Sequence, residues 1–219
     1  MHLIFEALVL LFIFILYWIN RGRRRYLKRR IGSKTFLNLY QTGRNFSFML
    51  MRKELHLMGD TSFLRKGGVL YSFHFGVWEL MPFTLKKLGY NLGIIVNRYR
   101  DSKKIFLTNL GDKIFYHIRS CNGIKIFYKE DTVKIVKFIK AGGLFGILVD
   151  GDTFYAKYEK AQKLARICNV PLVPFAAYRK DDSGILEINC NLANLVKKRP
   201  LDYLWVYKSR EKRDALRQW

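Results

Sequence analysis

Short apolar segments alternate with amphipathic segments along most of this 219-residue chain, and glycine, asparagine or aspartate commonly separates them. The apolar segments are typical of buried strands and occupy residues 69–74, 92–97, 125–128, 144–149, 172–179 and 184–190. The amphipathic segments predict helices over residues 78–88, 102–120, 132–141 and 158–169. Nearly continuous apolar strands that alternate with helices indicate an α/β fold, with a mainly parallel or mixed sheet flanked by helices. The last of these strands is expected to be antiparallel.

The boundaries of several elements can be assigned from their end residues. Asp131 is expected to cap the helix over residues 132–141, and Gly142 and Gly143 are expected to end it. Residues 35–57 predict one or two amphipathic helices, and the basic stretch from residue 201 predicts another.

Polar side chains follow the predicted strand ends: His74, Arg98, Asp150, Asp152 and Arg179. Because ligands of open α/β sheets bind at the carboxyl ends of the strands, these residues are the first candidates for a functional site.

His74 ends a predicted strand, and Gly76 separates it from a helix whose first turn contains Glu79. We expect the Glu79 carboxylate to turn back onto the imidazole and orient it as a general base for a hydroxyl group. The alternative is a core histidine with a nearby glutamate, since the spacing alone is common. The strand–glycine–helix setting favours the catalytic interpretation.

Residues 3–19 are apolar except for Glu6, and seven of the ten residues 21–30 are basic. A cleaved signal peptide would place its charge before the apolar run, so an uncleaved membrane anchor, spanning or deeply embedded, is preferred. We therefore predict a transmembrane anchor over residues 1–20, a basic juxtamembrane segment over 21–34 and one globular domain over 35–219. By the positive-inside rule, the globular domain is cytoplasmic.

The formal net charge of +23 indicates an anionic partner: nucleic acid, an anionic membrane surface or an acidic protein. No nucleic-acid-binding motif is present, and the apolar N-terminal segment favours the membrane. The three cysteines are Cys121, Cys168 and Cys190, and their wide spacing predicts free thiols in a reducing compartment.

Five segments, in this order, resemble the lipid A biosynthesis lauroyl/myristoyl acyltransferases, which belong to the lysophospholipid acyltransferase superfamily. His74-Phe-Gly-Val-Trp-Glu79 resembles the H-x4-D/E catalytic motif of that family. The other four segments are Asn97-Arg98, the Gly-Gly turn and D-x-D over residues 142–152, the strand over 169–179, and the tryptophan-containing stretch over 203–212. The resemblance covers most of the globular part.

The resemblance implies transfer of an acyl chain from a thioester, with acyl-carrier protein as the expected donor, to a hydroxyl of a lipid A precursor. It also implies the inner membrane of a bacterium, a catalytic domain on the cytoplasmic face, and chemistry that needs neither cofactor nor metal. His74 would be the base and Glu79 would hold its tautomer. Backbone N–H groups near Gly76, or Arg98, would stabilise the oxyanion, and Arg98 binding a phosphate or carboxylate of the substrate is an equal alternative.

Asp150 and Asp152 would contact the acceptor or serve as structural caps. Arg179 would pair with one of these aspartates or carry an ordinary strand-end charge. The chain is shorter than the family members compared. The loop after Asp152 is shortened, and a helix between residues 194 and 200 is expected to be missing. The acceptor therefore stays open: another lysolipid or glycolipid is possible, as is a non-catalytic, membrane-anchored binding protein.

Overall fold

The computed structural model describes residues 2–19, 34–96, 123–150, 155–181 and 183–204, together with single positions between 22 and 32 and between 113 and 120. Seven strands form one sheet: β1 (Leu55–Met58), β2 (Gly68–Ser72), β3 (Leu92–Ile95), β4 (Lys125–Phe127), β5 (Leu144–Leu148), β6 (Leu172–Lys180) and β7 (Ser183–Ile188). Their order across the sheet is β1-β7-β6-β2-β5-β3-β4. The β6–β7 pair is antiparallel and the other pairs are parallel. The predicted α/β class, with its mainly parallel sheet, is confirmed.

Helices cover both faces of the sheet. They are α1 (His2–Ile19), α2 (Lys34–Leu50), α3 (Met81–Lys87), α4 (Thr132–Lys140), α5 (Tyr158–Cys168) and α6 (Leu192–Lys198). Neighbouring residues of a strand point to opposite faces, so β2 contributes Val69 to one core and Leu70 to the other. The Val69 core includes residues of α4, α5 and α6, and the Leu70 core includes residues of α2 and α3. The site is thus carried by a sheet that is fixed from two sides.

Glycine ends α4 as expected, and an asparagine ends α5. Gly142 follows α4 with φ +86°, and Asn169 follows α5 in the left-handed conformation at φ +53°. Asp131 occupies the N-cap position of α4, but its carboxylate accepts from the backbone N–H of Tyr128 instead of from the helix. Asp131 therefore stabilises the turn before the helix.

Three predictions for the elements were wrong. Residues 55–57 form part of strand β1, where the sequence predicted helix, because these residues pair in parallel with β7 at the sheet edge. A helix is present between residues 192 and 198, where one was expected to be missing. The helix predicted from residue 201 does not begin there, because Pro200–Asp202 form a 3₁₀ turn followed by extended backbone at Tyr203; residues 205–219 lie outside the described residues.

Helix α1 packs against α2. Within the part of the chain that the structure describes, no helix is both long and apolar enough to cross a membrane.

Candidate active site

The carboxyl ends of β2 and β5 bring His74 and Asp150 together. The two strands are parallel neighbours, and Ser72 of β2 is paired with Leu148 of β5. His74 and Asp150 each lie two residues beyond this pair, so the register places them at the same level of the sheet edge. The ladder continues past the strands, because the N–H of Val149 donates to the carbonyl of Ser72 over 2.9 Å.

The Asp150 carboxylate binds His74 twice. Its Oδ1 lies 2.8 Å from Nδ1 of the imidazole, and its Oδ2 accepts from the backbone N–H of His74 over 3.1 Å. The Asp150 side chain is fully buried, whereas 23% of the His74 side chain is exposed. Side-chain and main-chain contacts together fix the histidine, and its ring still reaches the surface.

Tyr203 supplies a third donor to the same carboxylate. Its hydroxyl donates to Oδ2 of Asp150 over 2.8 Å, and its side chain is fully buried. The backbone holds Tyr203 in place, since Phe75 and Tyr203 form an antiparallel bridge and the N–H of Leu204 donates to the carbonyl of His74. His74, Asp150 and Tyr203, which we call the His–Asp–Tyr relay, form one hydrogen-bonded unit.

The donors around Asp150 keep it ionised. Burial acts to raise the pKa of this carboxyl, but the hydrogen bonds and charge of His74, together with the Tyr203 hydroxyl, outweigh burial and lower the pKa. Because an ionised carboxylate only accepts hydrogen bonds, Nδ1 of His74 carries a proton. The neutral imidazole is therefore the tautomer with its proton on Nδ1, which leaves Nε2 as the basic nitrogen that a general base needs.

Glu79 does not occupy the position expected from the sequence. Its Oε1 accepts from the Trp78 indole N–H over 3.1 Å, and both of its oxygens accept from the Arg119 guanidinium, with Nε of Arg119 at 2.9 Å from Oε2. Asp150 orients the imidazole in its place. Glu79 does not reach His74 because residues 78–80 form a 3₁₀ turn and the Glu79 carboxylate is paired with the Arg119 guanidinium.

Gly76 has a structural function where an oxyanion donor was expected. Its N–H donates to the carbonyl of Asp202 over 2.9 Å, and the next N–H, that of Val77, donates to the carbonyl of Ala177. Gly76 adopts φ +59°, and a Cβ at this position would lie 2.3 Å from the Ala177 carbonyl oxygen. Glycine is needed here so that the turn after His74 can approach β6 closely.

Arg179 is ion-paired with Glu6 of α1 rather than with Asp150. The Arg179 Nη1 lies 3.6 Å from Oε1 of Glu6, and its guanidinium stacks over the Phe48 ring at 5.2 Å. Arg179 is 6% exposed, so this contact is part of the packing beneath α1. Arg98 and Asp152, the other two predicted site residues, lie outside the described residues.

Three aromatic residues close to His74 in the sequence differ in their surroundings. Phe73 and Phe75 are fully buried and belong to the core. Trp78 is half-buried; its ring centroid is 5.3 Å from that of His74 and 6.2 Å from that of Phe46 on α2. Of Phe73, Phe75 and Trp78, it is therefore Trp78 whose ring both contacts the His74 imidazole and is partly exposed.

The sequence identified Asp150 as a site residue, but as a contact to the acceptor or a structural cap and not as the partner of His74. It predicted no function for Tyr203. A usable signal existed for Asp150, because two polar residues at the ends of neighbouring parallel strands must meet when their registers match. For Tyr203 the sequence carries no comparable signal, since its approach to Asp150 depends on the path of the chain after α6.

No family model matches this chain, and no curated protein matches it significantly.

Proposed function

We propose that this protein is an acyltransferase that moves an acyl chain from a thioester to a hydroxyl group of a lipid. The observation that carries the proposal is the His–Asp–Tyr relay, which keeps Nδ1 of His74 protonated and makes Nε2 the base. An imidazole held in this way by a buried carboxylate suits general-base catalysis. The likeness of residues 74–79 to the acyltransferase motif supports the same reaction class.

In this reaction, Nε2 of His74 takes the proton of the acceptor hydroxyl while the hydroxyl oxygen attacks the thioester carbonyl carbon. The negative charge on Asp150 stabilises the imidazolium that forms. When the tetrahedral intermediate collapses, the carbon–sulfur bond breaks, and Nε2 returns its proton to the departing thiolate. The products are an ester and a free thiol, and His74 is restored.

The charge of the chain supports an acidic donor and an anionic acceptor. A formal charge of +23 attracts acidic acyl-carrier protein, which is our proposed donor, and anionic lipid headgroups. A lipid A precursor on the cytoplasmic face of a bacterial inner membrane is the proposed acceptor. This choice rests on the resemblance of the motifs, and another lysolipid or glycolipid would use the same chemistry.

The test uses detergent-solubilised protein, acyl-carrier protein loaded with fatty acids of several lengths, and a panel of lipid acceptors that includes a lipid A precursor. Mass spectrometry would detect the mass gain of one acyl chain. We expect the gain with wild type and its loss with His74→Ala. His56→Ala is the matched control, because His56 lies on β1 and has no contact with the relay.

If both His74→Ala and wild type acylate a lipid equally, His74 is not the base. If wild type acylates nothing in the panel but binds lipid, the protein is a membrane-associated binding protein instead.

A further inference from the structure

Helix α1 presents apolar side chains on two opposite sides. Its half-buried residues recur at helical spacing and face α2: Glu6, Val9, Leu10, Ile13, Phe14 and Tyr17. Its exposed residues are also almost all apolar: Ile4, Phe5, Leu8, Leu11, Phe12, Ile15, Trp18 and Ile19. A helix on the surface of a water-soluble domain carries polar residues on its outer side. The outer side of α1 is therefore suited to an apolar environment.

The inner side of α1 is tied to the globular domain along its length. Near its start, Oε1 of Glu6 accepts from Nε of Arg44 over 2.9 Å and is paired with Arg179 of β6. In its middle, Leu10 contacts α2 where Gly43 lacks a side chain. Tyr17, near its end, packs against the core. Tyr17 lies eleven positions after Glu6, so α1 lies flat on the domain for roughly 16 Å.

Helix α2 extends the apolar surface of α1. Phe36, Leu37 and Tyr40 are exposed on α2, with 58% of Phe36 accessible. The ring of Phe36 lies 5.1 Å from that of Phe14, which joins the two helices. We call the exposed side chains of α1 and α2 together the apolar face.

Cations border this surface. The Arg24 guanidinium lies 4.7 Å from the Trp18 ring centroid, and Arg25 and Lys28 are exposed just beyond. Tryptophan next to arginine and lysine at the rim of an apolar surface matches the boundary between acyl chains and anionic headgroups.

We propose that the apolar face sinks into one leaflet of an anionic bilayer, with α1 lying in the plane of the membrane and not across it. A spanning α1 would have to leave α2, separate Glu6 from Arg44 and Arg179, and place its carboxylate in the hydrocarbon core. Lying flat, α1 keeps these ion pairs on its inner side and buries only its outer side. The partner is thus an anionic lipid surface that contacts the protein from one side.

This placement brings the membrane next to the relay. Phe46 of α2 contacts Trp78, and Trp78 contacts His74. The Asp202 side chain accepts from Gln41 and Asn45 of α2 and lies beside Tyr203 in sequence. If the proposed acyltransferase function holds, a lipid hydroxyl at headgroup depth is delivered along α2 to His74.

The first experiment determines the topology. The full chain carries a short uncharged epitope tag at its N-terminus and is expressed in bacteria, and protease is added to intact spheroplasts and to lysed membranes. We expect the tag to be cleaved only after lysis, together with a second tag inserted in the exposed turn at Gly89. Cleavage of the N-terminal tag alone in intact spheroplasts would mean that α1 spans the membrane, and it would overturn the proposal.

The second experiment measures binding to vesicles of phosphatidylglycerol and phosphatidylcholine by co-sedimentation. Leu8→Gln combined with Leu11→Gln should weaken binding by about tenfold per residue. Val133→Gln with Ile167→Gln is the matched control, because these side chains are comparably exposed but lie on α4 and α5. The control should bind like wild type, and equal weakening of both double variants would contradict the assignment of the apolar face.

Two further outcomes separate the alternatives. A dimer that the Leu8 and Leu11 substitutions disperse, with no vesicle binding, would assign the apolar face to a second copy of this chain. His74→Ala should bind vesicles like wild type whether or not the protein is an acyltransferase, so this proposal and the proposed function fail separately.

Discussion

The Asp150 carboxylate joins Nδ1 of His74 to the hydroxyl of Tyr203, with a hydrogen bond of 2.8 Å on each side. Three segments that are far apart in the sequence meet in this carboxylate: the end of β2, the end of β5 and the turn after α6. The orientation of the proposed base is thus a property of the whole fold.

Replacing Asp150 by Asn should lower kcat by about 10²–10⁴-fold. An amide can donate to Nδ1 and so favours the wrong imidazole tautomer, and it removes the charge that stabilises the imidazolium. Steady-state kinetics with acyl-carrier protein and the identified acceptor would measure the loss.

Tyr203→Phe should lower kcat by about tenfold, because the Asp150 carboxylate keeps both of its hydrogen bonds from His74. Tyr178→Phe, which removes a hydroxyl bound to Glu187, is the matched control and should leave kcat unchanged.

Glu79→Gln should affect stability more than catalysis. The amide retains an acceptor for the Trp78 indole but loses the charge opposite Arg119, which should lower the free energy of unfolding by about 1–2 kcal/mol. We expect kcat to fall less than tenfold, far less than for Asp150→Asn. Urea unfolding and kinetics on the same samples would separate the two effects. If Glu79→Gln is inactive but as stable as wild type, Glu79 and not Asp150 orients the His74 imidazole.

Gly76→Ala should destabilise the protein by about 2 kcal/mol or more, because the added Cβ meets both an unfavourable φ and the Ala177 carbonyl oxygen. Gly89→Ala is the matched control: its φ is +87°, but no atom lies within 4 Å of the added Cβ. Gly89→Ala should cost about 1 kcal/mol. Equal losses for the two variants in chemical unfolding would mean that the close approach of the His74 turn to β6 is not needed.

Asp150 should make the free energy of unfolding depend on pH in the acidic range. Its pKa is lowered from an ordinary value of 3.8, so the unfolded chain binds the proton more readily than the folded one. The contribution of Asp150 is therefore complete above about pH 5 and is lost as the pH falls through 3.8 towards the folded-state pKa. The difference in unfolding free energy between wild type and Asp150→Asn should shrink over this range. A difference that stays constant down to pH 3 would argue against an ionised, hydrogen-bonded Asp150.

The thiols of Cys168 and Cys190 should react slowly in the native protein. Both are buried, and burial raises the pKa of Cys168 and raises the pKa of Cys190 to about 12, so little thiolate is present at neutral pH. Labelling with a maleimide, followed by peptide mass spectrometry, should show modification of both only after denaturant is added. Rapid labelling of Cys190 without denaturant would mean that α6 opens readily.

The sheet was predictable because its strands are short apolar runs with clear ends. The predicted strand over residues 144–149 and the observed Leu144–Leu148 differ by one residue, and the antiparallel β7 was also predicted correctly. Strand β1 was missed because its alternation of inward and outward residues extends over only four positions, too few to distinguish it from the end of a helix. Its strand conformation depends on β7, a neighbour that is distant in the sequence.

The position of the site in the fold was predictable, but the contacts between its side chains were not. His74 and Asp150 both follow apolar strands, and so their position at one sheet edge could be inferred from the sequence. The partner of the imidazole could not be read from the five-residue spacing of His74 and Glu79, because Arg119 competes for the glutamate. Likewise, the contacts of Glu6 with Arg44 and Arg179 are tertiary, and no local pattern encodes them.

The ion pair between Glu6 and Arg179 has a consequence for biosynthesis. Arg44 is synthesised 38 residues after Glu6, whereas Arg179 is synthesised 173 residues after Glu6, when β1 to β5 have already been made. Until then the inner side of α1 lacks the strand on which it rests, while its outer side is already complete. If α1 lies on a lipid surface as proposed, its outer side can bind there before the sheet exists, and the domain then closes over a helix that is already bound.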